Sequence, residues 1–317
     1  MSSTYQVQST PKSFNTPLGI SKFINNELNS DTQYLILEYG ARHKGDIKKL
    51  CKLFGADYGI ITTISPQHLE TFHNTENIYL AKKELSDYLE DRLCVYNLDN
   101  IYTYRMHQEK SGEKFGISLQ SHTNPSINNV KIVNYSTHFN LTINDQTFSV
   151  KTKLLGLHNI TNILLATALA SKLGVSNKNI IQSIGNLSPT PHRLEYIKGF
   201  MHIIDDSYNC SLLSAKEALD VLKCAKHKKM IITPGIIEGG TFQYKINHKL
   251  GQMCRFADFL VIIGETNRTA LTNGFTNNHE NTTPLYAKDL EETKQYFSLL
   301  SSDDTLLILN DLPDDFK

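Results

Sequence analysis

A handful of side chains stand where chemistry needs them or where plain packing would not put them. Glu38 closes the apolar run Tyr34-Leu-Ile-Leu37 and is followed by Tyr39-Gly40. An acid at the carboxyl end of a parallel strand lies at the edge where open α/β sheets bind ligands, although a strand-end carboxylate in water would look the same. His68 follows the next apolar run, which ends at Ile64, and falls at the same edge. Lys82 is the sharper anomaly. Positions 78, 82, 85 and 89 share one helical face, and the other three are Ile, Leu and Leu. A lysine there either snorkels its amine to water or is held beside an anion, a phosphate or a metal, with its chemistry altered.

The second half of the chain carries its own set. Asp205 and Asp206 end the run His202-Ile-Ile204, and read either as a ligand edge or as a turn bonding its own backbone. Arg193 follows the Pro-rich stretch Ser188-Pro-Thr-Pro191 and offers a planar fork suited to phosphate. His158, Asn159 and Asn162 open a long helical pattern, with Asn159 a good N-cap. Thr233-Pro-Gly235 with Gly239-Gly240 forms a strand-to-helix loop that suits an anion or a plain turn.

These residues need elements to hold them. Strand Tyr34–Leu37, helix Gly45–Phe54, strand Tyr58–Ile64 and helix Thr75–Leu89 alternate as in a parallel sheet with crossovers, the first strand reading as buried. From Cys94 to Leu155 the pattern turns to short alternating runs (115–119, 130–133, 138–143), an expected antiparallel annex. Helices Asn159–Leu173 and Asn177–Leu187 follow. Past the prolines the alternation restarts. Strands are expected at 202–205, 229–233, 259–263 and 305–309, and helices at 211–225, 243–256 and 290–300. The expected division is 1–188 and 189–317.

The chain has 317 residues, no net charge, no Trp and five Cys. The length suits about two domains of ~150 residues. Balanced charge argues against a nucleic-acid partner. No apolar run approaches the ~20 residues of a membrane span, and the polar first residues lack a secretory stretch, so a cytoplasmic protein with reduced thiols is expected.

Taken together the segments resemble the Mur ligase family. They are Asn15-Thr16 with Gly19, Leu37-Glu-Tyr-Gly-Ala41, Gly45-Asp-Ile47, Ile61-Thr-Thr-Ile-Ser-Pro-Gln-His-Leu-Glu70, Glu76-Asn-Ile78 with Ala81-Lys-Lys-Glu-Leu85, and Gly156-Leu-His-Asn-Ile-Thr-Asn162. His192-Arg-Leu-Glu195, Asp205-Asp-Ser-Tyr-Asn209, Thr233-Pro-Gly-Ile-Ile-Glu238 and Asn310-Asp-Leu-Pro-Asp314 complete them. The resemblance implies a central α/β domain, a parallel sheet with an antiparallel annex, followed by a smaller Rossmann-like domain. It implies ATP and Mg2+ as cofactors and an amide bond formed through an acyl phosphate. The members most alike add D-Ala-D-Ala to a UDP-MurNAc-peptide in peptidoglycan synthesis, so a UDP-sugar-peptide precursor and D-Ala-D-Ala, or another amino acid, are the implied partners.

By the same resemblance, Glu38, His68 and a carbamylated Lys82 hold magnesium; Asn162, with His158 nearby, contacts the adenine; Asn159 is also cofactor-binding; Asp206 meets the ribose; and Arg193 reaches the phosphates. Lys82, His68 and Arg193 would then be catalytic. Three motifs depart from the family pattern: Glu38-Tyr-Gly40, Cys210 after Asn209, and Gly239-Gly240 after Glu238. The family's Gly-Lys-Thr/Ser phosphate loop is not found before Asn15. The expectation is therefore a truncated ligase lacking its N-terminal domain, its loop supplied by an upstream segment or a partner chain. A catalytically inactive relative that binds nucleotide or precursor, or regulates a complete ligase, is the alternative, with a plain interaction module behind it.

Overall fold

Polar side chains start the helices where the sequence leaves backbone N–H groups open. Thr16 accepts from Gly19 N, with Pro17 in the first turn; Asn74, Asn100, Ser176 and Ser211 do the same for later helices. The computed structural model describes residues 1–11, 14–66, 69–208, 210–237, 239–276 and 283–310. The chain divides into two compact units. The first is Met1–Val130, His138–Lys151 and Thr161–Asn186; the second is Lys131–Thr137, Thr152–Ile160 and Leu187–Lys317.

In chain order the elements are β1 (Val7–Ser9), α1 (Pro17–Asn26), β2 (Tyr34–Ile36), α2 (Asp46–Phe54), β3 (Gly59–Ile61), α3 (Leu69–Phe72), α4 (Thr75–Tyr88), β4 (Cys94–Asn97), α5 (Ile101–Glu109) and β5 (Lys114–Ile117). There follow β6 (Ser126–Val133), β7 (Ser136–Ile143), β8 (Gln146–Thr152), α6 (Leu157–Lys172) and α7 (Asn177–Gly185). Then come β9 (Glu195–Lys198), β10 (His202–Asp206), α8 (Leu212–Lys223), β11 (Lys229–Thr233), a 3-10 turn (Gly240–Phe242) and α9 (Gln243–Met253). The last are β12 (Phe259–Ile263), α10 (Arg268–Thr276), β13 (Leu285–Ala287), a 3-10 helix (Glu292–Leu299) and β14 (Thr305–Leu309).

The first unit holds two short parallel sheets, β1-β2 and β3-β4-β5, with no ladder between β2 and β3 among the described residues. Helix α4 serves both. Its Ile78, Tyr79 and Ala81 pack with Ile61 and Ile64, while Leu85 also meets the cluster of Ile20, Ile47, Leu50 and Cys51. Strands β6, β7 and β8 form a separate sheet. Their links, Asn134-Tyr135 and Asn144-Asp145, have positive φ at all four residues. That geometry joins antiparallel neighbours, which gives the expected annex.

The second unit is a six-stranded sheet, order β13-β12-β11-β14-β10-β9, parallel except for β9. Alternate residues serve opposite faces, as the strand period demands. Ile231, Leu260, Ile262, Leu307 and Leu309 pack with α8, α9 and α10; Met230, Ile232, Val261 and Leu306 face the other cluster with Leu300.

Five expectations are corrected. The run 115–119 yields β5, which pairs parallel with β4 and lies outside the annex. The first strand is not buried, since Ile36 is half exposed. The strand expected over Tyr58–Ile64 is only three residues long, Gly59–Ile61. The helix expected at 290–300 is a 3-10 helix over Glu292–Leu299. Helix α6 begins at Leu157, so Asn159 lies within its first turn and is no N-cap; its Nδ2 donates to Leu155 O at 2.8 Å.

Candidate functional site

In the first unit, β2 delivers Glu38 to a tight corner. Asn15 Nδ2 donates to Glu38 Oε1 at 3.2 Å, and Gly40 N donates to Asn15 O at 2.9 Å. A Cβ on Gly40 would lie 2.8 Å from Asn15 Cγ, so any other residue would push Asn15 off the carboxylate. Helix α4 supplies Lys82, an electrostatic neighbour of Glu38. Burial pulls the Lys82 ammonium below its ordinary value, and the Glu38 charge partly opposes that.

Its neighbours on α4 are engaged elsewhere. Lys83 pairs with Asp87 at 2.5 Å, and Glu84 accepts from Gly45 N at 2.7 Å and from Lys48 N at 2.8 Å, closing the start of α2. Lys82 itself makes no hydrogen bond or ion pair among the described residues. Burial that disfavours the ammonium, with no partner to restore it, makes this amine more readily nucleophilic than an ordinary surface lysine. His68, Asn209 and Glu238 lie outside the described residues. Among the described residues, no three His, Cys, Asp or Glu side chains converge as a metal cage. The five cysteines are free, and burial raises the thiols of Cys51 and Cys94 to about 11 and of Cys210 and Cys254 to about 12.

In the second unit the chemistry gathers at the carboxyl end of β10. Because β9 runs antiparallel to β10, with Glu195 opposite Asp205, residues 191–194 turn at that same end. Positive φ at His192 and Leu194 makes the turn. Asp206 Oδ1 accepts from Leu194 N at 3.0 Å, and Asp205 Oδ2 meets His192 Nδ1 at 2.8 Å. Asp205 Oδ1 also accepts from Ser207 N, so this member of the acidic pair does serve its own turn. Arg193 lies with its guanidinium 4.2 Å from the centre of the exposed Tyr208 ring.

Burial raises the Asp206 carboxyl to about 6, against the opposing pull of Leu194 N–H, His158 and Arg193. His158 and Arg193, from motifs far apart in sequence, are therefore electrostatic neighbours of Asp206. His158 stands half exposed in the first turn of α6, and Asn162, four residues on, is exposed on the same helical face.

Two features escaped the sequence reading. One is Glu217 on α8, whose Oε2 accepts from Leu157 N at 2.7 Å. The other is a cluster of buried amides behind the loop after β11. Asn247 Oδ1 accepts from Ile236 N at 2.7 Å while its Nδ2 donates to Ile236 O. Gln243 and Asn247 both donate to Asn267 Oδ1, Asn267 donates to Pro234 O, and Asn310 donates to Gly235 O. The signal available was Asn247 itself, a polar residue between Ile246 and Leu250 on a buried helix face. A cavity of about 700 Å³, lined by Lys228, Phe256 and Asp304, opens elsewhere on this unit; no predicted site residue lines it.

Residues 1–170 match the model of the family described as the Mur ligase middle domain. The chain is 27% identical over 257 residues to the UDP-N-acetylmuramoyl-tripeptide–D-alanyl-D-alanine ligase of Bacillus subtilis, covering 78% of this chain and 54% of that protein. To the same ligase of Escherichia coli it is 25% identical, covering 77% and 56%. It thus spans about half the length of the curated relatives it matches. Among solved structures, MurF of Acinetobacter baumannii superposes with a TM-score of 0.84 at 22% identity, covering 98% of this chain and 68% of that one. MurF ligase of Thermotoga maritima in complex with ADP gives 0.86 at 21%, covering 98% and 71%. These two likenesses show the fold.

Proposed function

This chain belongs to the Mur ligase family, and from that premise we propose that it is the nucleotide-handling part of an ATP-dependent amide-bond ligase. The substrates we propose are a UDP-MurNAc-peptide and D-Ala-D-Ala, in the cytoplasmic stage of peptidoglycan synthesis. The observation that carries the reading is the meeting of His158, Arg193 and Asp206 at one strand end.

In this reading the exposed face of α6, with His158, Asn159 and Asn162 at its start, takes the adenine. Asp206 takes a ribose hydroxyl as an acceptor, which requires it ionised. Arg193 neutralises charge on the phosphates, whose geometry a guanidinium fork matches. Bound ATP supplies a γ-phosphoryl group to the substrate carboxylate. The amine then displaces phosphate from the acyl carbon and loses its extra proton.

The donor set of the first unit fits a magnesium ion in part. Magnesium takes one or two carboxylates and completes its shell with water and phosphate, so Glu38, steadied by Asn15, suits it. An ammonium does not, but a carbamylated Lys82 would carry an anion, and its lowered ammonium favours reaction with CO2. His68 is proposed as a further ligand on the resemblance alone. Residues 1–317 contain no Gly-Lys-Ser/Thr loop, so turnover calls for phosphate-binding backbone from outside them, on an upstream segment or a partner chain.

The test is calorimetry with ADP and ATP in magnesium, on the wild-type chain and on Asp206→Asn. Micromolar to low-millimolar binding lost in the variant supports the nucleotide reading, and no binding by either overturns it. ADP release with UDP-MurNAc-tripeptide and D-Ala-D-Ala separates a ligase from an inactive binder.

A further inference from the structure

Resting on the nucleotide reading and deepening it, we infer that Glu217 is a positioning residue. It fixes the His158 imidazole and the first turn of α6 together, so that the ring meets a bound base in one orientation. Glu217 stands on α8, sixty residues from the motif it serves. Its Oε2 accepts the Leu157 N–H at 2.7 Å and lies 3.8 Å from His158 Nδ1. The first N–H groups of a helix have no partner within it, and the helix start is the positive end of its dipole. A carboxylate there is held by both effects, and the ring is held by the carboxylate.

The ring is confined on another side as well. Gly156 has φ +86°, and a Cβ placed on it would come within 2.8 Å of His158 Cε1 and 2.8 Å of Leu194 Cδ2. The imidazole therefore occupies space that any other residue at 156 would fill. With Nδ1 directed to Glu217, Nε2 is the ring nitrogen left for a ligand, which fixes its role as well as its place. Two charged groups act on the ring, Glu217 from α8 and Asp206 from β10; Arg193 and Asp205, the latter paired with His192, act in turn on Asp206. Burial alone would raise the Glu217 carboxyl. The His158 ring and the Leu157 N–H outweigh it and hold the carboxyl below its ordinary range, so Glu217 stays charged at neutral pH.

Two measurements on the full chain test this. The first follows the Glu217 carboxyl by carbon NMR against pH in wild type and in His158→Gln, which leaves the Leu157 bond in place and so does not depend on α6 being recapped. The midpoint is expected to rise in the variant; an unchanged midpoint overturns the inference. The second measures ADP affinity in Glu217→Gln, His158→Gln and the double variant. Glu217→Gln should weaken ADP about three- to tenfold, the size of one ordinary hydrogen bond, and the double variant should be no weaker than His158→Gln within about twofold. Additive losses overturn it, because they would mean Glu217 acts without His158. Failure of the wild-type chain to bind ADP counts against the nucleotide reading, and the carboxyl titration still decides whether Glu217 holds the ring.

Discussion

At neutral pH the Asp206 carboxyl is asked to ionise in a half-buried place. Its folded pKa of about 6 lies above the ordinary 3.8. The protonated form is thus favoured by the fold, and that contribution is full below about pH 4 and lost as pH rises through about 6. A shift of this size corresponds to ~1–2 kcal/mol once solvent screening is allowed for. Asp206→Asn should therefore melt higher than wild type at pH 7.5, with the gap closing toward pH 4, while its ADP affinity falls. A thermal melt series from pH 4 to 8 checks the first part; a variant less stable at all pH values would refute it. Lys82 follows the mirror-image rule. Its ammonium is disfavoured by burial, so Lys82→Met should raise the melting temperature at pH 7. The gain should fade as pH approaches 10.5, the ordinary lysine value, where the amine is neutral in both states.

Elements were legible where their residues are buried on both faces. Strands β11, β12 and β14 fall on the expected residues, because runs such as Phe259-Leu-Val-Ile-Ile263 leave no other reading for four to eight residues bounded by turns. Strands β1, β2 and β3 have three residues each, too few for any periodicity to show. Helix α10, Arg-Thr-Ala-Leu-Thr-Asn-Gly-Phe-Thr, carries two β-branched polar residues and a glycine in its interior, which weakens its helical signal. In the site, Asp206, Arg193 and His158 were legible by position along the chain. Glu217 and the amides behind Thr233–Gly235 were not, because their partners are eleven to seventy-five residues away. That amide cluster suggests a clean measurement. Asn247 is fully buried and serves both Ile236 N and Ile236 O. Asn247→Leu strands those groups and should cost about 2–4 kcal/mol, read as a lower urea midpoint. An unchanged midpoint would mean water replaces the amide.

At the level of the whole molecule, the chain passes between its two units five times, at 130/131, 137/138, 151/152, 160/161 and 186/187. The second unit's core accordingly includes Leu155, fully buried. Tyr135 stacks 4.3 Å from Tyr196, and its hydroxyl meets Thr305 Oγ1 at 2.7 Å. A fragment of residues 187–317 lacks both. It should unfold at a temperature several degrees below that of the same unit in the full chain, since the loss of one buried leucine alone is worth about 2–5 kcal/mol. Differential scanning calorimetry on the two proteins decides this, and equal transitions would show that Leu155 and Tyr135 contribute little.

The missing ladder between β2 and β3 has a consequence for how the first unit meets other chains. On the side where the described residues form no ladder, each of these three-residue strands has only about two backbone hydrogen bonds to offer, worth ~1 kcal/mol apiece. Micromolar association needs about 8 kcal/mol. Backbone pairing there therefore cannot recruit a neighbour by itself, and short strands are one of the ways proteins blunt sheet edges. Only a segment that also brought apolar side chains to bury would stay, so the gap discriminates by side chain and not by hydrogen bond.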